Sequence, residues 1–139
     1  MPRDPRKLRV FGMADELVPL IYKATVKFPT EEKYGLVSQM RRAAVSIPSN
    51  IVEGCGRRST ADYLNFLNIA TGSAYELGYL CGLSGRLEML VTKTAADLQE
   101  RCNHIAASLT ALVESLENAD EGGESRRTTD QKGRNSRGS

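Results

Sequence analysis

Apolar residues recur every three or four positions through most of this chain, which is the period of amphipathic helices. From about Leu8 to Phe28, one stripe carries Val10, Met13 or Ala14, Leu17, Ile21, Ala24 and Phe28. Pro19 lies inside that stripe and predicts a kink or an irregular turn. Phe28-Pro29-Thr30 interrupts the pattern, and Thr30 with Glu31 and Glu32 reads as a capped, acidic restart. A second helix is expected from about Glu31 to Gly54, with a bend at Pro48 and the glycine as its stop. Ser59-Thr60-Ala61-Asp62 has the form of a capping box and opens a third helix running to about Leu90. Thr94-Ala95-Ala96-Asp97 repeats that form and opens a fourth helix that ends near Asn118. No segment alternates as a strand does. Amphipathic helices joined by short connections bury their stripes most simply as an all-α, up-down-up-down four-helix bundle.

The bundle is expected over residues 9–118, preceded by a flexible basic N-terminus at 1–8. Residues 119–139 hold no large apolar side chain and are rich in Gly, Ser, Thr, Asp and Arg. Such a stretch buries too little to offset its ordering entropy, so a disordered tail is expected there.

The second helix is two-faced in an informative way. With Arg42 at zero and about 100° per residue, Ser46 falls near 40°, Asn50 near 80°, Glu53 near 20°, and Gln39 and Arg57 near 60°. Leu36, Met40, Ala43, Ala44, Ile47 and Ile51 occupy the arc from about 100° to 200°. Neighbours on the polar stripe are three or four residues apart, so bonds Arg42–Ser46, Ser46–Asn50, Asn50–Glu53 and Glu53–Arg57 are expected. Arg, Asn, Gln and Ser suit fixed hydrogen-bond geometry better than the loose Lys and Glu mixtures of an ordinary solvated face. A solvated face, a polar seam against another helix, a subunit interface and a phosphate-contact surface all fit this pattern. Arg41, Arg42, Ser46, Asn50, Glu53, Arg57 and Arg58 are therefore the candidates for an interface or nucleic-acid surface.

The third helix carries a ridge of small residues, Ala70, Ala74, Gly78 and Gly82, with Gly85 one turn further. Glycine inside a helix costs about 1 kcal/mol relative to alanine, so its repetition implies close approach of another helix backbone. That neighbour belongs either to the same bundle or to another copy. Gly72-Ser73 predicts a local distortion.

Composition narrows the class without choosing the partner. The 139 residues are 40% hydrophobic and 26% charged, with no tryptophan, which describes one soluble domain. Nothing approaches the roughly 18 consecutive apolar residues of a membrane span, and no apolar run follows the basic stretch Met1–Arg9. No membrane association and a cytoplasmic location are expected. Cys55, Cys81 and Cys102 are odd in number and lack CxxC pairing, so they read as small buried hydrophobes. Cys102 and His104 point about 200° apart on a helix, and the chain has no second histidine, which excludes a metal site between them. A net charge of +2 is too small to hold nucleic acid by charge alone. The bases are uneven, however: Arg3, Arg6, Lys7 and Arg9 face only Asp4, and more follow in the tail. The few aromatics give no sign of exposed stacking surfaces.

The string Phe28-Pro29, Glu32, Tyr34-Gly35-Leu36 and QMRRAAVSIPSNIVEGCGR (Gln39 to Arg57), with YLNFLNIATGSAYE (Tyr63 to Glu76), resembles the four-helix-bundle family of 23S ribosomal RNA intervening-sequence proteins. The resemblance covers about residues 8–118, with Arg41, Arg42, Ser46, Asn50, Glu53, Gly54 and Arg57 matching its most distinctive string. It implies a bacterial helical bundle. That family is similar to the accessory protein of diversity-generating retroelements, a five-membered ring with a basic nucleic-acid-binding surface, so the resemblance implies a homo-oligomer, of which a pentamer is one form. Thr71 stands where the family often has an arginine, and Gly12 where tryptophan and lysine are common. Both departures reduce basic or aromatic character.

Two roles follow as expectations: binding of RNA or DNA through the arginine-bearing surface, or a protein scaffold contacting a protein partner. Glu53 beside Asn50 and Arg57, and Glu76 on the next helix, are candidate groups for acid-base work. With no paired nucleophile, phosphate loop or metal spacing, neither catalysis nor a cofactor is expected.

Overall fold

The computed structural model describes the backbone of residues 3–135 and the side chains of residues 3–122. Four helices, α1 (Arg9–Thr25), α2 (Leu36–Cys55), α3 (Thr60–Arg86) and α4 (Thr92–Asn135), form the all-α bundle, with short 3-10 turns at Pro5–Lys7 and Thr30–Glu32. Contact is most extensive between α3 and α4 and between α2 and α3, while α1 meets α4 only lightly. Leu17 and Ile21 from α1, Met40, Ile47 and Ile51 from α2, Leu67 and Leu77 from α3, and Ile105 and Leu109 from α4 are fully buried. Each such side chain contributes roughly 2 kcal/mol by leaving water.

The helix ends differ from the sequence expectation in ways that have local causes. Thr30–Glu32 does not start α2. It closes a 3-10 turn, and the chain re-enters a helix only at Leu36, where Glu32 Oε2 accepts from Leu36 N at 3.2 Å. The acidic residue thus caps the helix after the turn rather than one that contains it. Gly54 is not the stop either. It is buried, and a Cβ there would lie 2.9 Å from Phe66 Cβ, so the glycine admits α3 against α2. The cap is Gly56, whose N–H reaches the carbonyls of Val52 and Glu53. Ser59 does cap α3, accepting from Asp62 N at 3.1 Å. Thr94, by contrast, lies inside α4, which already starts at Thr92.

α3 ends at Arg86 rather than near Leu90, in a turn where Met89 N and Leu90 N both reach Ser84 O and Glu88 N reaches Gly85 O. Glu88 takes the left-handed conformation there, with φ of 61°. That is the position glycine usually fills after a helix. Gly72-Ser73 lies in continuous helix without the distortion expected of it. Pro19 likewise sits within unbroken α1. It and Asp15, the residue whose carbonyl it cannot serve, are both exposed, so the missing hydrogen bond falls on the outer face of the helix.

Residues 3–8 are docked rather than loose. Arg3 N donates to Cys55 O at 3.3 Å, and its guanidinium lies 4.1 Å over the Tyr63 ring. Asp4 accepts from Arg6 N, Nε and Nη2, and these bonds hold its carboxyl below the usual range. At the other end, α4 continues to Asn135, past the end near Asn118 that the pattern predicts. Its last side chain against the core is Leu116, and residues 117–122 are exposed. The side chains of the remaining tail, and all of residues 136–139, lie outside the described residues.

Candidate functional site

The glycine ridge of α3 is consumed inside the bundle. A Cβ on Gly78 would meet Cys102 Cβ at 3.3 Å, one on Gly82 the Gln99 side chain at 3.2 Å, and one on Gly85 Ala95 Cβ at 2.7 Å. Ala70 and Ala74 are fully buried as well. Of the two neighbours the sequence left open, the ridge takes α4 of its own chain. It is packing, not an interface between copies.

The polar stripe of α2 divides into two ends and a middle. In the middle, Asn50 Nδ2 donates to Ser46 Oγ at 2.9 Å and to Ser46 O at 2.7 Å. Ser46 Oγ shares a 2.8 Å hydrogen bond with Ser73 Oγ of α3. Ser49 Oγ donates to Val45 O at 2.7 Å. These side chains serve carbonyls in the turn that holds Pro48, and they make a polar seam between α2 and α3. The expected Ser46–Asn50 bond forms, whereas Arg42–Ser46 and Asn50–Glu53 bonds are absent among the described residues.

The C-terminal end of the stripe is a structural corner. Arg57 Nη2 pairs with Glu53 Oε1 at 3.3 Å, and the guanidinium covers the Phe66 ring at 4.6 Å. Arg57 O also accepts from Arg3 Nη1 at 3.2 Å. Tyr63, beneath Arg3, has its hydroxyl pushed up to about 12, chiefly by burial, with Cys55 next to it adding to the shift. Burial likewise raises the Cys55 thiol. Arg58 is exposed in the turn that follows.

The N-terminal end of α2 opens onto a groove shared with α1 and the turn between them. Arg41 donates from Nε to Thr25 Oγ1 at 3.0 Å and from Nη2 to Tyr22 O at 3.3 Å, and it stacks 4.6 Å over the Tyr22 ring. It thereby satisfies carbonyl and hydroxyl groups where α1 runs out, a favourable place for a cation. Arg42, one position on, is exposed. Lys33 and Tyr34 complete the groove, which has a volume of about 700 Å³ and no carboxylate in its lining. Tyr34 is 87% exposed and Tyr22 41%.

Of the seven candidates, Arg41, Arg42, Ser46 and Asn50 therefore share this groove, while Glu53, Arg57 and Arg58 do not. The groove's lining also includes Ser38, Arg42, Val45 and Ser49, a row at helical spacing slightly rotated from the stripe read in the sequence. Sequence reasoning missed Tyr22, Lys33 and Tyr34 and found no exposed aromatics. Tyr34 beside Lys33 in the loop after Pro29 was the available signal.

Among the described residues, no cluster of three metal-ligating side chains is present, and no helix is long and apolar enough to cross a membrane. The three cysteines are free and buried, and the Cys102 thiol is pushed up by its bond to Cys81 and by burial.

Comparison with known proteins places this geometry in a lineage. No curated protein matches the chain. A solved structure from Bacteroides thetaiotaomicron, described as a protein with unknown function from the S23 ribosomal protein family, aligns with a TM-score of 0.68 and 27% identity. The alignment covers 75% of this chain and 97% of that one. The family model for 23S rRNA-intervening sequence proteins matches residues 6–111, spanning α1, the groove, α2, α3 and the first part of α4. The chain belongs to the family of 23S rRNA-intervening sequence proteins.

Proposed function

We propose that this bundle acts by binding RNA, without catalysis, and that its contact surface is the groove between α1 and α2. One observation carries the reading: Lys33, Arg41 and Arg42 converge on a groove whose lining contains no acidic side chain, in a chain whose net charge is only +2. Phosphate contact needs concentrated positive potential rather than a large total charge. The family's name, which refers to a 23S rRNA intervening sequence, supports RNA as the polymer. Titration of a structured RNA at several salt concentrations tests this. Binding should weaken as salt rises, and Lys33→Ala and Arg42→Ala should each weaken it and flatten the salt slope by about one. No binding at low salt overturns the proposal.

A second reading, self-association or a protein scaffold, is favoured by the outer face of α3. Ile69, Tyr75 and Tyr79 are 50%, 60% and 60% exposed there. Apolar side chains left on the outward face of a central helix mark a surface for another protein, and a second copy of this chain is the partner favoured here. The glycine ridge no longer bears on this question. Light scattering measures the outcome: particle masses in multiples of 15.2 kDa support the reading, and a strict monomer at high concentration removes the homo-oligomer.

A further inference from the structure

We propose that the groove takes unpaired rather than duplex RNA, with one base laid on the Tyr34 ring and neighbouring phosphates held by Lys33 and Arg42. This rests on the RNA reading above and specifies the state of the polymer. The argument starts from a ring in the wrong place for a core residue: Tyr34 is 87% exposed and contributes nothing to the bundle's interior. Lys33 Nζ lies over this ring, 5.5 Å from its centroid, so one face carries a positive charge and a base would use the opposite face.

A second aromatic surface lines the same groove. Tyr22 is stacked under Arg41, and that guanidinium is fixed by Thr25 Oγ1 and Tyr22 O. The stack is therefore rigid before any ligand arrives, so little rotamer freedom is lost on binding. Aromatic faces beside cations, with no carboxylate between them, match the way unpaired strands are held: phosphates by charge and bases by stacking. In an A-form duplex the base faces are covered by their neighbours, and only backbone and groove edges are presented. An exposed ring gains nothing from that surface.

The test uses the full chain and a labelled RNA strand without self-complementarity, free or annealed to its complement, read by fluorescence anisotropy. The free strand should bind at least tenfold more tightly than the duplex. Tyr34→Ala should weaken strand binding about tenfold and leave duplex binding unchanged, while Tyr34→Phe retains the strand preference. Circular dichroism should show unchanged helicity, since the ring touches no core. Equal affinities for strand and duplex, or strand binding unaffected by Tyr34→Ala, overturn the inference. In that case the RNA reading still stands if Lys33→Ala and Arg42→Ala weaken both complexes. Absence of binding to either form removes both.

Discussion

Arg41 Nε donates to Thr25 Oγ1 at 3.0 Å, and Thr25 Oγ1 in turn donates to Ile21 O at 2.8 Å. A side chain of α2 thus completes a buried hydroxyl in the last turn of α1. Adjacent arginines in the distinctive string therefore do different work: Arg41 ties two helices together, and Arg42 is left to the solvent. Arg41→Ala should cost about 1–2 kcal/mol in urea denaturation, because it strips a partner from a buried hydroxyl. Arg42→Ala should stay within about 0.5 kcal/mol of the parent while weakening RNA binding. Equal stability losses for the two variants contradict this division.

The glycines of α3 should separate in the same way. Gly72 is exposed in helix with nothing within 4 Å of an added Cβ, so Gly72→Ala should stabilise by about 0.5–1 kcal/mol through backbone entropy alone. Gly85→Ala places a Cβ 2.7 Å from Ala95 Cβ, which is anchored to its own backbone and cannot swing away. Overpacking should exceed the propensity gain and leave a net loss of about 1 kcal/mol. Thermal denaturation of the pair measures both signs.

Glu88 holds φ at 61° in the turn where glycine avoids the Cβ clash. Glu88→Gly should raise stability by about 1 kcal/mol, the reverse of what the same change gives inside a helix. A decrease in melting temperature is the contrary result.

Tyr63 gives a pH dependence with a definite sign. Its hydroxyl titrates near 12 in the folded chain against 10.0 as the ordinary value, so the folded state holds its proton longer than the unfolded chain does. The associated stability is present in full below pH 10 and is lost as pH rises toward 12. Chemical denaturation at stepped alkaline pH should show a fall that is shallower in Tyr63→Phe.

The helices and their buried faces were readable from period alone, because a stripe such as Leu17 and Ile21 has no stable place except a core. The capping box at Ser59 was readable too, since its partners are local. Gly54 was misread as a stop because a glycine near a helix end has two explanations, and only the position of Phe66 separates them. The groove was half legible. Arg42, Ser46 and Asn50 fall on one arc by arithmetic. Tyr22 and Tyr34, however, reach it from another helix and a turn, and their exposure depends on how those elements pack. The same limit concealed the fate of Arg41, whose side chain finds Thr25 sixteen residues away in sequence.

The most direct test of the groove as the working surface is amide NMR of the chain during titration with RNA. Shifts concentrated at Lys33, Tyr34, Arg42 and Ser49, saturating with added RNA and shrinking with salt, are the expected result. Shifts confined to the outer face of α3 or to α4, with Lys33 to Ser49 unmoved, contradict it.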